Sequence, residues 1–313
     1  MDKLQNADKL IIIAGPTAVG KSDLGVELAV RMGGEIISAD SMQVYKHMDI
    51  GTAKITEEEM RGVPHHMIDI IEPVEPYHVY DFKQRAQAAC KEIYGRGHIP
   101  IIVGGTGFYI QALLYDIEFS GQGQDDEMRA ELQAIADEQG PEALHRILAE
   151  LDPDTAATLH PNNVKRTIRA IEYARQNSDT IYEHNAEQRK RISPYDFRFY
   201  LLDDDRQAVY ERIDARVDRM IKAGLEDEVR GLQDMGCKAD MTSMQGIGYK
   251  QMLMYIDGEI SLDEAIRLIK RDSRHYAKRQ LTWFRRERDI IRMERMGRST
   301  AEIADDIMAG MWT

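Results

Sequence analysis

One stretch of eight residues, Gly15–Ser22, constrains this chain more than any other. Its sequence, GPTAVGKS, lies between the apolar run Leu10–Ala14 and a segment with apolar residues at helical spacing, Ser22–Met32. Glycines at the first and sixth positions let the backbone curl, so that several N–H groups point at one anion. Strand, glycine loop and helix in this order predict an α/β fold, a P-loop kinase-like parallel sheet flanked by helices.

Each part of this loop has a predicted role. Lys21 reaches outer phosphate oxygens, and the Ser22 hydroxyl is the candidate ligand for Mg²⁺. The helix that begins near Lys21 adds the positive end of its dipole. We therefore assign binding of a diphosphate or nucleotide to the whole loop: Gly15, Pro16, Thr17, Ala18, Val19, Gly20, Lys21 and Ser22. The loop alone does not tell whose phosphates it holds.

Three further apolar runs are predicted strands of the same sheet, at Glu35–Asp40, Ile99–Val103 and Phe197–Asp203. Ligands of open parallel sheets bind at the carboxyl ends of the strands. Asp40 is therefore expected beside the phosphate loop. Glycines follow the next strand, at Gly104–Gly107, where the backbone is expected to come close to a ligand.

The pattern becomes helical in the middle of the chain, with apolar residues at helical spacing and prolines where helices would start. We predict a small helical insertion domain at residues 116–196, and a core domain formed by residues 1–115 and 197–313. In the insertion, Arg166 and Arg169 lie one turn apart and share a helix face. The prolines are Pro141, Pro153 and Pro161.

Two long helices are predicted after the insertion, at Tyr210–Leu232 and Asp263–Arg288. The first carries Arg212, Arg216 and Arg219. Arginines in such a position close over phosphates in nucleotide kinases, and they are equally common on exposed helices. The second helix interleaves basic residues with Trp283 and Phe284, which suits the phosphates and stacked bases of RNA.

Charge is distributed unevenly along the chain. Arg267–Arg298 contains twelve Lys or Arg and four Asp or Glu, a net +8, so the remainder carries −21 of a total of −13. An acidic body with one basic surface toward nucleic acid would explain this asymmetry, and so would a solvated basic helix.

Other features of the sequence indicate where in the cell the protein is located. No apolar run approaches the roughly 20 residues that cross a membrane, and Met1–Asn6 does not resemble a signal peptide. Cys90 and Cys237 are the only cysteines, and we expect free thiols in a reducing compartment. These patterns predict a cytoplasmic protein with no membrane partner.

Five stretches together resemble the bacterial tRNA dimethylallyltransferase family. They follow the family's order over nearly the whole chain, and the zinc finger of eukaryotic members is missing. The stretches are GPTAVGKS at 15–22, DSMQVYKHMDIGTAK at 40–54, GGTGFY at 104–109, HPNNVKRTIRAIE at 160–172, and QGIGYKQ at 245–251 with KRQLTWFRR at 278–286.

The resemblance implies transfer of a dimethylallyl group from dimethylallyl diphosphate to N6 of the adenosine at position 37, 3′ of the tRNA anticodon. It implies three catalytic residues. Asp40 accepts the amine proton as general base, while Ser22 with Mg²⁺ and the lid residue Arg216 stabilise the departing diphosphate.

The resemblance also implies contacts with the tRNA anticodon stem-loop, whose target base must flip out of its stack. A monomer is expected, because tRNA provides the large partner surface. The implied tRNA-binding residues are Asp40, Ser41, Met42, Gln43, Thr106, Lys165, Arg166, Thr167, Ile168, Arg169, Gln245, Gly246, Ile247, Gly248, Tyr249, Lys250, Gln280, Trp283, Arg285 and Arg286.

Three alternative functions are compatible with a phosphate loop and a basic helix: an adenylate isopentenyltransferase acting on free nucleotides, a P-loop small-molecule kinase, and a non-catalytic RNA-binding P-loop protein. A free nucleotide requires neither the helical insertion nor the basic segment Lys278–Arg286. A kinase would consume the γ-phosphate of ATP. A non-catalytic protein would keep its function when Asp40 is replaced.

Overall fold

The computed structural model describes residues 8–119, 125–177, 180–188 and 190–311. The chain divides into two compact units. One comprises the residues up to Leu114 and those from Ser193 onward, and the other is Tyr115–Ile192. The sequence had indicated boundaries at 116 and 196.

The first unit is built on a six-stranded sheet in the order β3-β2-β4-β1-β5-β6. Every neighbouring pair is parallel, which confirms the predicted α/β class. Leu10–Ala14 of the central strand are fully buried, as expected for a parallel sheet covered on both faces. The strands are β1 Lys9–Ala14, β2 Glu35–Ala39, β3 His65–His66, β4 Pro100–Gly104, β5 Asp196–Asp203 and β6 Ile290–Glu294.

Because all six strands run in one direction, the segments that follow them meet at one edge of the sheet. Nine α-helices in the described part of this unit surround the sheet and this edge. They are α1 Lys21–Met32, α2 Glu57–Met60, α3 Val79–Gly95, α4 Gly107–Leu114, α10 Arg206–Lys222, α11 Leu225–Asp234, α12 Tyr249–Ile256, α13 Leu262–Phe284 and α14 Thr300–Ala309.

The second unit is helical over its described residues, and its core contains Leu132, Leu144, Leu148 and Ile171. Arg129 donates to both oxygens of the Glu172 carboxylate, which pairs the charge of a residue that is 5% exposed. Its helices are α5 Asp126–Gln139, α6 Pro141–Leu151, α7 Pro153–Thr158, α8 Val164–Gln176 and α9 Ile181–Gln188.

Several predicted helix bounds are wrong. The single helix predicted at 210–232 is two helices, because Gly224 has φ 99°, a left-handed conformation that ends one helix and caps the next. The helix predicted to reach Arg288 ends at Phe284. Pro161 lies in a turn, and α8 begins at Val164.

Strand β6 was not predicted. Its sequence, IIRME, contains charged residues, and it forms an edge of the sheet, where only one side needs to be paired. No helix in the described part of the chain combines the length and the apolar composition that crossing a bilayer requires.

Candidate active site

The phosphate loop connects β1 to α1 at the carboxyl edge of the sheet. A Cβ atom on Gly15 would lie 2.3 Å from the carbonyl oxygen of Leu202, so only glycine fits against β5. Gly20 has φ 93° and stands directly before α1, and Ala18 is left-handed as well, with φ 63°. These conformations turn the loop around the N-terminus of α1, where an anion is favoured.

Lys21 spans this loop. Its Nζ donates to the Pro16 carbonyl oxygen at 2.8 Å. Burial lowers its pKa to about 8, with a smaller opposing effect of Asp40 and a further lowering by Arg216. The ammonium group is therefore poorly solvated. A bound anion would stabilise its positive charge in place of the missing water.

One cavity of about 430 Å³ opens above the loop. It brings together the three residues that were assigned catalytic roles, Ser22, Asp40 and Arg216. Apolar side chains also line it, and they suit a small hydrocarbon group beside a charged one. These apolar residues are Ile36, Ile55, Ile68 and Val103.

Asp40 follows the last residue of β2 and is half-buried. Its Oδ1 accepts hydrogen bonds from the backbone N–H groups of Met42, at 2.8 Å, and Gln43, at 3.3 Å. Its Oδ2 accepts none from the residues that the structure describes. The carboxylate is thus oriented through one oxygen, and the other is left to receive a proton.

Two arginines of α10 differ in their contacts. Arg212 donates to the Ala18 carbonyl oxygen at 2.8 Å and to Asp204 at 2.7 Å, so it braces the loop. Arg216 forms no hydrogen bond or ion pair with the described residues. Burial lowers the pKa of Arg216, Asp40 raises it, and Arg219 lowers it. The guanidinium stays charged, so it is an available partner for phosphate oxygens.

Gln280, predicted to contact tRNA, is instead bonded within the protein. It is 5% exposed, its Oε1 accepts from the Thr17 N–H at 2.8 Å, and its Nε2 donates to the Gly105 carbonyl oxygen at 3.0 Å. This corrects two expectations. The side chain has no free polar atom pointed at RNA, and the Thr17 N–H is not available to a phosphate.

Tyr249 is likewise not an exposed RNA contact. It is 1% exposed, and its hydroxyl donates to Glu228 at 2.7 Å. The same carboxylate accepts from three consecutive backbone N–H groups, those of residues 49–51, at 2.7 to 2.9 Å. Burial and this carboxylate raise the pKa of Tyr249. The pair therefore clamps the loop after Asp40, and no motif pointed to Glu228.

With this geometry established, comparison with known proteins decides the family. A family model described as IPP transferase matches residues 43–287, which is more than half of the chain. The chain belongs to the IPP transferase family. A second model, described as isopentenyl transferase, matches residues 8–71, which include the phosphate loop. The resemblance inferred from the five motifs is confirmed.

Relatives and solved structures agree with this membership. The chain is 55% identical over 282 residues to a tRNA dimethylallyltransferase of Lachnoclostridium phytofermentans, covering 90% of each chain. It is 51% identical over 284 residues to one of Geobacillus kaustophilus, covering 91% of this chain and 90% of the relative.

Two solved structures share the fold. The crystal structure of the full-length tRNA isopentenylpyrophosphate transferase of Bacillus halodurans matches with a TM-score of 0.72 and 44% identity, covering 96% of both chains. A eukaryotic dimethylallyltransferase crystallised while acting on tRNA matches with a TM-score of 0.78 and 30% identity. That match covers 97% of this chain and 78% of the other.

Within the helical unit, the five family positions on α8 fall into two groups. Lys165, Arg166 and Arg169 are exposed. Thr167 is fully buried and donates to the Asn163 carbonyl oxygen, and Ile168 belongs to the helical core. The assignment of RNA contacts to these last two side chains is therefore corrected, because burial keeps both from a bulky ligand.

The other family positions lie on the first unit. Thr106 accepts a hydrogen bond from the Ser41 N–H at 3.2 Å, which ties the loop after β4 to the loop after β2. Exposed side chains among them are Gln245, Lys250, Arg285 and Arg286, the half-buried ones are Met42, Gln43, Ile247 and Trp283, and Gly246 and Gly248 are buried.

The solvent face of α13 forms a shallow pocket of about 440 Å³ beside Trp283. Trp283 packs against Phe108, with ring centroids 6.1 Å apart, and covers Gly107, where a Cβ would lie 2.2 Å from the indole. The pocket is lined by His275, Lys278, Arg279, Thr282, Trp283 and Arg286. We call these six residues the basic face. An aromatic ring among cations suits single-stranded nucleic acid.

Two residues near Asp40 and the phosphate loop were missed. Tyr276 lies near Asp40, Thr106 and Gln280, and burial raises its pKa to about 12. Arg295 donates to the Val19 carbonyl oxygen at 2.9 Å. Neither has a local sequence signal, because a tyrosine on a helix and an arginine after an unpredicted strand are common on any surface.

Proposed function

We propose that this chain transfers the dimethylallyl group of dimethylallyl diphosphate to N6 of adenosine 37 in tRNA and releases diphosphate. The observation that carries the proposal is a single cavity with a phosphate loop and a carboxylate oriented through one oxygen. Kinship with proteins named tRNA dimethylallyltransferase supports the choice of substrates.

Asp40 is suited to be the proton acceptor. N6 of adenine attacks the first carbon of the allyl group, the bond from that carbon to the diphosphate oxygen breaks, and the N6 proton passes to the carboxylate. Because the lone pair of N6 is delocalised into the ring, correct placement of the amine matters more than the strength of the base. Backbone bonds from Met42 and Gln43 to Oδ1 support that placement.

Lys21, Arg216 and backbone N–H groups of the loop would hold the diphosphate while negative charge develops on it. Both cations line the cavity, and burial already weakens the solvation of each. A fixed positive charge in a poorly solvated site acts more strongly than it would in water.

The residues present fit a magnesium ion. The Ser22 hydroxyl lines the cavity, and no group of three His, Cys, Asp or Glu forms a metal cage among the described residues. Mg²⁺ commonly takes one or two protein ligands and completes its shell with water and phosphate oxygens. It would supply further positive charge to the diphosphate, with Ser22 as its protein ligand.

For tRNA, exposed cations on two elements support binding of the anticodon stem-loop: those of the basic face, and Lys165, Arg166 and Arg169 on α8. They attract phosphates without reading sequence. The target adenosine would leave its stack to reach Asp40. A monomer is sufficient, since one chain carries every side chain that this scheme uses.

The experiment that tests this function is incubation with dimethylallyl diphosphate, Mg²⁺ and unmodified tRNA, followed by nucleoside mass analysis. We expect one C5H8 unit added to the adenosine 3′ of the anticodon. Prenylation of AMP as readily as of an anticodon stem-loop would assign the chain to the free-nucleotide enzymes. Transfer of label from γ-labelled ATP would assign it to the kinases.

A further inference from the structure

The turn that follows β6 places an arginine, Arg295, against the phosphate loop. This residue lies outside the five family motifs. Arg295 is half-buried and lines the cavity that also contains Lys21 and Arg216. Its Nη1 donates to the Val19 carbonyl oxygen at 2.9 Å. The same atom lies 2.0 Å from the place that a Cβ on Gly20 would take. The guanidinium therefore rests directly on the loop, in space that Gly20 leaves free.

The backbone of this turn is held at three points. The Arg295 N–H donates to the Asp203 carbonyl oxygen at 2.9 Å, and the Arg298 N–H to the Arg295 carbonyl oxygen at 2.7 Å. The Met296 N–H donates to the Asp204 carboxylate at 3.1 Å. Such anchoring places the side chain before any ligand arrives, which reduces the entropy that binding must overcome.

Asp204 connects this turn to Arg212, the other arginine that contacts the phosphate loop. Besides Met296, it binds Arg212 at 2.7 Å, and Arg212 donates to the Ala18 carbonyl oxygen. Consecutive loop carbonyls at Ala18 and Val19 are thus contacted by arginines from α10 and from the turn after β6. The carboxylate of Asp204, the residue after β5, therefore holds both Arg212 and the turn that carries Arg295.

The two bracing arginines differ in charge balance. Arg212 is neutralised by Asp204, whereas the Arg295 guanidinium contacts only one neutral carbonyl, that of Val19, among the residues that the structure describes. A guanidinium has five N–H donors in a planar fork, and the bond to Val19 uses one of them. An uncompensated, half-buried cation with free donors beside a phosphate loop is a site for an anion.

We propose that Arg295 is a further diphosphate-binding residue, which donates to a phosphate oxygen while Nη1 stays on the Val19 carbonyl. That the diphosphate belongs to an allylic substrate rests on the proposed function, but the recognised group is the diphosphate itself. Arg295 would act with Lys21 and Arg216, and it would help to hold the leaving group as its charge grows.

Binding of inorganic diphosphate with Mg²⁺ to the full-length protein, measured by calorimetry, tests this proposal. Arg295→Gln should bind about tenfold more weakly, since it loses a charged hydrogen bond. Its affinity should also depend less steeply on ionic strength, because one attractive charge is gone. Arg292→Gln is the matched control: Arg292 is exposed on β6, directly before the turn that carries Arg295, and its replacement should leave the affinity unchanged within about twofold.

Arginine-selective modification of the unaltered protein, mapped by mass spectrometry, separates binding from bracing. Diphosphate should protect Arg295 and not Arg292. The proposal is overturned if Arg295→Gln binds diphosphate as the unaltered protein does. It is also overturned if affinity falls with no change in ionic-strength dependence and without protection, since Arg295 would then only brace Val19.

The outcomes also separate this inference from the proposed function. If diphosphate binding depends on Arg295 but tRNA is never prenylated, only the proposed function fails. If tRNA is prenylated and Arg295→Gln binds diphosphate normally, only the inference fails.

Discussion

The phosphate loop and the basic face of α13 both concentrate positive charge, but they hold it differently. At the loop, two cations are bonded to protein atoms: Lys21 to the Pro16 carbonyl, and Arg212 to the Ala18 carbonyl and Asp204. On the basic face, Lys278 and Arg286 are exposed and form no ion pair with the described part of the chain. Charge that is held in place suits a reacting group, whereas exposed charge suits a polyanion that is attracted over distance.

The largest expected effect is at Asp40, in the fixed region. Asp40→Asn keeps an oxygen for the Met42 and Gln43 N–H groups but removes the proton acceptor. We expect kcat to fall by about 10²- to 10⁴-fold, with the Kd for tRNA nearly unchanged. Single-turnover prenylation and a filter-binding assay measure the two quantities. Normal turnover in this variant would exclude Asp40 as the base.

The next largest effect is expected at Gln280, which lies on the buried side of α13, the helix whose solvent side carries the basic face. Gln280→Ala leaves the Thr17 N–H and the Gly105 carbonyl without their partner. Unfolding free energy should fall by about 1–3 kcal/mol, and kcat/KM for dimethylallyl diphosphate by about tenfold. Chemical denaturation and steady-state kinetics test both. If tRNA affinity falls instead, with the kinetics for the diphosphate intact, Gln280 contacts RNA after all.

The basic face should show the opposite behaviour. Replacing Lys278 and Arg286 together by Gln should lower tRNA affinity by about tenfold at moderate salt, and flatten the slope of log K against log salt by roughly 1.5. The kcat at saturating tRNA should stay the same. A drop in kcat at saturation would show that this charge also acts at the reacting group. As a control, Lys9→Gln removes an exposed positive charge from the first residue of β1, far along the sequence from the basic face. It should leave tRNA affinity and its salt dependence unchanged.

The smallest expected effect is a pH dependence of the loop. Burial lowers the pKa of Lys21 to about 8. Its side chain is therefore positively charged below about pH 8 and loses this charge as the pH rises through that value. Affinity for diphosphate should therefore fall several-fold between pH 7 and pH 9. Lys21→Arg, which stays charged, reports the ionisation of the diphosphate alone. Equal pH profiles for both proteins would contradict this explanation.

Much of the fold followed from short patterns. The spacing in Gly15–Ser22, the buried run at Leu10–Ala14 and the acid after β2 led to a parallel sheet with a phosphate site at its edge. Local sterics and strand burial decide such features, so neighbouring residues suffice to predict them. The break at Gly224 was missed, because the apolar spacing continues across it.

The roles of single polar side chains were predicted less well. Gln280 and Tyr249 stand in motifs that resemble RNA contacts, yet both are buried and bonded to the protein. Their partners are Thr17, 263 positions away in sequence, and Glu228, 21 positions away. A polar residue looks the same in sequence whether its partner is protein or RNA.

The sequence by itself determined the phosphate loop, the α/β class and the family, since these depend on local spacing and on several motifs in a set order. Only the tertiary structure decided which charged side chains are bonded within the protein and which are available to a ligand. It placed Arg216 near Asp40 without an ion-pair partner among the described residues, bound Arg212 to Asp204 and brought Arg295 to Val19. The physical reason is that a hydrogen bond between distant residues depends on how the strands and helices pack, and no local pattern records that packing.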